Sequence, residues 1–183
     1  MALRTLRDDF ARHPGDASAR SLLLAYRFGQ WAQARRSRVA RGIYSKLYGV
    51  LNAYVKNILK LDVPPQVKIG DGLHIIHGYG FLTIHPDVVI GDRCGIMHNV
   101  TIGQNMSSGV ATIGDDVFIG TGVAILGEVT IGDRARIGAN AVVTTDVPAD
   151  SIVQSPQSRV MPSLAAMAAK AKAAKAAKAG EKG

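Results

Sequence analysis

Residues 113–148 read IGDDVF IGTGVA ILGEVT IGDRAR IGANAV VTTDVP, six hexads led by Ile113, Ile119, Ile125, Ile131, Ile137 and Val143. A second apolar slot, four places after each lead residue, holds Val117, Val123, Val129, Ala135, Ala141 and Val147. The same frame runs upstream through Val63, Ile69 and Ile75, slips by three residues, and resumes at Ile84, Ile90, Ile96 and Ile102. It slips by five more across QNMSSGVAT (residues 104–112) before Ile113.

A period of six is neither the 3.6 of an amphipathic helix nor the 2 of an alternating strand. It predicts a mainly β chain wound as a parallel β-helix, each hexad forming one short side of a triangular coil with its lead residue inside. Thirteen hexads make a little over four coils. Stacked coils bury one continuous core and expel insertions as loops. The Gly that follows many lead residues is expected to supply positive φ at the corners. Cys94 fills the second apolar slot of IGDRCG, residues 90–95, and is expected to be a small core residue rather than a nucleophile.

Around this body the chain divides into a helical region 1–60, a β-helix 61–160 and a tail 161–183. Residues 18–60 place Leu23, Leu24, Tyr26, Phe28, Trp31, Ile43, Leu47, Val50, Leu51, Tyr54, Val55 and Ile58 at helical intervals among Arg and Lys. The tail, LAAMAAKAKAAKAAKAGEKG from residue 164, suits a frayed helix or a disordered segment, since no apolar stripe is wide enough to dock it.

The net charge of +8 is an average over unlike parts. Residues 1–60 carry 12 Lys/Arg against 3 Asp, residues 61–163 carry 5 against 10 Asp/Glu, and residues 164–183 carry 5 against 1. An acidic body with basic ends argues against nucleic-acid binding, which puts the positive patch on the folded core. The basic helical face is either simply solvated or touches an anionic membrane surface. The single Cys excludes an intrachain disulfide. MALRTLRDDFARHPGD lacks the apolar run of a secretory signal. The longest apolar segment, IYSKLYGVLNAYVKNIL, is broken by Lys46 and Lys56 and falls short of the ~20 apolar residues of a membrane span. A cytoplasmic protein is expected, with the inner face of the membrane as its one candidate surface. No Cys, His or carboxylate cluster has metal-ligand spacing, so no metal is expected.

A helical N-terminus, then LDVPPQVKIGDGLHIIHGYG (61–80), a slip, IGDRCGIMHNVTIG (90–103), a loop and the six hexads resemble the serine acetyltransferase group of hexapeptide acyltransferases. The resemblance is nearest to the shorter members that O-acetylate sugars of exopolysaccharides or capsules, such as colanic acid acetyltransferase. It implies a left-handed coil, acetyl-CoA as donor, and a cyclic trimer or a pair of trimers with sites between neighbours.

It also implies roles. His77, followed by Gly78 at the first slip, takes the place of the catalytic base that removes a proton from an acceptor hydroxyl. Asp62, fifteen residues earlier, takes the place of the acid that orients the imidazole. His98 and Tyr79 are expected in the site wall, His74 at its mouth, and Gln104 and Asn105 in the polar loop facing the acceptor, while His85 reads as a turn residue. Gly120, Thr121, Gly122, Ala139 and Asn140 would make room for the pantetheine arm, and Arg159 would approach the CoA phosphates. Each glycine is equally accounted for by corner geometry alone.

The acceptor divides the readings. Serine-specific members carry an Asp just before the catalytic His and an Arg-His pair in the following loop; here those places read Ile76 and QNMSSGVAT. A zwitterion would lack charge-assisted partners there, so a sugar hydroxyl is the expected acceptor. Serine O-acetylation and a non-catalytic hexapeptide scaffold stand as alternatives.

Overall fold

The computed structural model describes residues 2–106, 109–156 and 161–170. Among the described residues three helices, α1 (Ala2–Ala11), α2 (Ala17–Gln33) and α3 (Arg38–Asn57), precede fourteen short strands. Asp16 caps α2, its carboxylate accepting from Ala19 N–H, and Ser37 caps α3 through Ala40 N–H. Both are residue types whose side-chain oxygen satisfies an otherwise free N–H of the first turn. Beyond the strands the chain is helical over 164–170, and the rest of the expected tail, 171–183, lies outside the described residues.

The strands stack into three all-parallel faces. The first holds β1 (Leu61–Asp62), β4 (Leu82–Ile84), β7 (Val100–Gly103), β10 (Ala124–Leu126) and β13 (Val142–Val143). The second holds β2 (Lys68–Ile69), β5 (Val89–Ile90), β8 (Thr112–Ile113) and β11 (Thr130–Ile131). The third holds β3 (His74–Ile76), β6 (Gly95–Met97), β9 (Phe118–Ile119), β12 (Arg136–Ile137) and β14 (Ile152–Val153). The chain visits the faces in rotation, so every lead residue falls inside. All thirteen, from Val63 at 3% exposure through Ile119 at 0% to Val143 at 4%, are buried in one column with the second-slot residues. Cys94 is among them, and burial pushes its thiol up to about 11, against its use as a nucleophile.

The glycines after the lead residues do not carry the positive φ expected of them. The left-handed positions lie elsewhere, at Gly72, Arg93, Asp116, Arg134 and Asp150 on one corner and at Gly80, Asn99, Gly122 and Asn140 on another. What the post-aliphatic glycines provide is space. A Cβ on Gly91 would run into Asp115 Oδ1, and one on Gly114 into Asp133 Oδ1. Those carboxylates build a ladder up the corner, Asp92 accepting from Asp71 N–H, Asp115 from Asp92 N–H and Asp133 from Asp115 N–H at 2.8–2.9 Å.

The helices dock onto the first coil through polar contacts to its backbone. Tyr26 Oη donates to Val67 O at 2.7 Å, and Arg27 donates to Ile69 O and Gly70 O while pairing with the fully buried Asp9 at 2.9 Å. Burial raises the Asp9 carboxyl against the opposing pull of Arg27. His13 donates from Nδ1 to Asp9 O and accepts at Nε2 from Ile75 N–H, and Arg12 donates to Gly72 O. Arg12 and Arg27 are therefore built into the joint, while Arg36, Arg38, Arg41, Lys46 and Lys60 stay exposed.

Candidate active site

The corner between the third and first faces carries the site. In the second coil two residues, His98 and Asn99, join β6 to β7; in the first coil five residues, 77–81, join β3 to β4. Ile76 pairs with Met97 and Leu82 with Val100, so the extra three residues belong wholly to this corner. Tyr79 stacks under His98 with ring centroids 5.7 Å apart, and a Cβ on Gly80 would touch Asn99. Tyr79 and Gly80 thus continue the regular column, while His77 and Gly78 form a bulge ahead of it and Phe81 is the third extra residue, after it.

His77 is exposed, at φ +59°, in the left-handed region that the corner residues Arg93, Asn99 and Asp116 also adopt. Its ring lies 5.6 Å from Tyr79 and 5.9 Å from His98. The peptide after it is clamped: Gly78 N–H donates to Asp16 Oδ2 at 2.9 Å while Asp16 Oδ1 caps α2. A Cβ on Gly78 would run into Ala19 N, so only glycine fits beneath the helix. Burial alone would push the Asp16 carboxyl up, but the N–H groups of Ala19 and Gly78 outweigh it and hold it below its ordinary value. His98 keeps a buried Nδ1 with no partner among the described residues, and its carbonyl accepts from Gly122 N–H and Thr121 Oγ1.

Above His98 the same edge continues through Thr121, Gly122, Ala139 and Asn140, with Asn140 N–H donating to Thr121 O at 2.8 Å. The residues expected to flank a pantetheine arm therefore share one edge with His77. Packing within the chain already demands two of the glycines, since a Cβ on Gly120 would meet Ala139 N at 2.8 Å and one on Gly122 would meet the Asn140 side chain.

Other expected members stand apart. Asp62 points outward from β1, but its carboxylate pairs with Lys56 Nζ at 2.7 Å and shares no hydrogen bond with His77. His74 turns its ring onto His13 at 5.2 Å, away from the mouth of the histidine cluster; desolvation, with His13 and Arg12 beside it, lowers its pKa. Gln104 and Asn105 follow β7 and are separated from His98 by that strand, on the order of 13 Å for four residues; the Asn105 amide lies against Gly127. His85 accepts from Asp87 N–H in its turn. Arg159 lies outside the described residues. Among those described, no three His, Cys, Asp or Glu side chains gather as a metal site, and no helix is long and apolar enough to cross a membrane.

The residues missed from the sequence are Asp16 and His13. HPGD before a helical run is readable as a capping signal, yet nothing in it marks the partners 62 residues away.

Comparison with known proteins agrees with this architecture. Residues 111–145 match the family described as bacterial transferase hexapeptide (six repeats). The chain is 33% identical to a serine acetyltransferase of Helicobacter pylori strain J99, over 70% of its own length and 72% of the relative's. It is 32% identical to a serine acetyltransferase of Synechococcus elongatus, over 83% of its own length and 64% of that relative, so it spans just under two thirds of this one. The crystal structure of Neisseria gonorrhoeae serine acetyltransferase in complex with serine superposes with a TM-score of 0.67 at 25% identity, covering 87% of this chain and 68% of that one. The narrower likeness to exopolysaccharide O-acetyltransferases gains no support from these relatives. The chain belongs to the hexapeptide transferases of the serine acetyltransferase-like family, and its coil is their left-handed parallel β-helix.

Proposed function

We propose that the protein transfers acetyl from acetyl-CoA to a hydroxyl, with His77 as the base. The observation that carries this is the bulge at residues 77–81, which sets an exposed imidazole at the head of an edge lined by His98, Thr121, Gly122, Ala139 and Asn140. His77 takes the acceptor's proton, the oxygen attacks the thioester carbonyl, the C–S bond breaks, and the proton passes to the leaving thiolate. A base and a good leaving group suffice, so transfer is direct and no acetyl-enzyme forms. Since Lys56 holds Asp62, an orienting role for that carboxylate requires it to exchange partners when the site fills.

The site is composite in this reading. Gln104 and Asn105 sit at the far end of the first face from His77, Val142 and Ile152 expose large apolar side chains on the first and third faces, and Phe81 does so at the corner between them. A cyclic trimer covers such faces and brings one copy's loop toward another's histidines.

Serine is the acceptor supported by the relatives, which are serine acetyltransferases, one of them in complex with serine. One observation favours a second reading, a neutral sugar hydroxyl. Half-buried Ile76 beside His77 pairs with Met97 as an apolar wall, and Asp16 already gives both oxygens to N–H groups. Thiol release from acetyl-CoA, measured with L-serine and with a set of free hexoses, decides between them. Stimulation by serine supports the first acceptor and stimulation by hexoses alone the second; release that never exceeds acceptor-free hydrolysis overturns acetyl transfer.

A further inference from the structure

Helix α3 is twenty residues long, yet Val55 is its one fully buried residue. Val39, Ile43, Leu47, Val50, Tyr54 and Ile58 recur at spacings of four, four, three, four and four, and each is 50–74% exposed. At 3.6 residues per turn they line one stripe, about 28 Å long. Exposed apolar area of this extent on a charged helix marks a surface that something covers.

The charge around the stripe selects what that is. Residues 17–61 contain nine Lys or Arg and no Asp or Glu. Lys46 lies about 60° around the helix from Ile43, Arg36 and Arg38 sit at its start, and Lys60 follows its end. None of these four pairs with an acidic side chain among the described residues, whereas Lys56 is taken by Asp62. A second α3 laid on the stripe would set these cations against their own copies with no anion between them. A sheet of anionic lipid headgroups accepts both parts, the stripe entering the acyl boundary and the long basic side chains reaching back to the phosphates.

We propose that α3 is a membrane-surface anchor that lies in the plane of an anionic bilayer. This inference does not depend on the proposed acetyl transfer. It is tested by co-sedimenting the full chain with vesicles of phosphatidylcholine mixed with phosphatidylglycerol and with vesicles of phosphatidylcholine alone. The chain should bind the mixed vesicles at least about tenfold more tightly, and added salt should weaken that binding. Replacing Ile43→Ser together with Val50→Ser should lower binding roughly tenfold with the basic tail intact, and Arg38→Gln with Lys46→Gln should do likewise. The exposed positions leave the unfolding midpoint near that of the parent chain. Equal binding to both vesicles, serine variants that bind as the parent does, or serine variants that lower the sedimentation mass because a second copy covered the stripe would each overturn the proposal.

Discussion

Two corners of one edge, a single coil apart, are built differently. At residues 98–99 the chain turns from the third face to the first in two residues, with Asn99 in the left-handed position and the coil above stacked directly on it. At residues 77–81 it takes five, and the surplus carries an exposed histidine at positive φ, held from outside the coil by the capped end of α2. The regular corner is solved by stacking alone, since His98 rests on Tyr79 below and meets Thr121 and Gly122 above. The irregular corner needs help from outside the coil, and Asp16 and Ala19 give it. In a repeat fold, a side chain is released from the column where the repeat is broken, and such a bulge persists when neighbouring structure holds it.

Making the two corners alike should have the largest effect. Replacing residues 77–81 by Tyr-Gly, the pair that already stacks below His98 and Asn99, should leave the β-helix folded and lower turnover by about 10²–10⁴-fold. Circular dichroism and thiol release on the same sample check both halves. Within the regular coil, Ile119→Ala should cost about 2–5 kcal/mol in urea unfolding, because Ile119 is fully buried midway up the column.

The clamp that only the irregular corner has should show a smaller effect, and one that depends on pH. Asp16→Ala should cost about 0.5–2 kcal/mol through the lost helix cap, and it should slow turnover because the peptide after His77 loses its acceptor. The folded Asp16 carboxyl sits below the ordinary 3.8, so the stability it contributes is fully present above that value and is lost as pH falls through the lower folded value. Asp16→Asn should therefore flatten the acid limb of a melting-temperature profile. The smallest effect belongs to Cys94→Ala, which should leave turnover nearly unchanged because the buried thiol, its pKa raised to about 11, takes no part in transfer.

The coil was legible in the sequence because its core obeys a period, and thirteen buried lead residues follow it without exception. The site's position was legible for the complementary reason that a slip in that period marks the bulge carrying His77. The docking of the helices was not. Arg27, Tyr26, His13 and Asp16 reach backbone groups 41 to 62 residues away, and side chain-to-backbone bonds impose no pattern on the partner's sequence. The glycines after the lead residues mislead because a glycine that avoids a clash and a glycine that adopts positive φ look identical in one dimension. Lys56, one helix end away from Asp62, reads as another solvated cation until the chain folds back on itself.

The central claim is that the imidazole released by the broken repeat is the base for acetyl transfer. Its most direct test is turnover of His77→Ala at saturating acetyl-CoA, measured beside acetyl-CoA affinity. Turnover should fall by about 10²–10⁴-fold, the range for loss of a general base, with affinity for the donor near that of the parent chain. A His77→Ala protein that transfers acetyl at the parent rate would contradict the account.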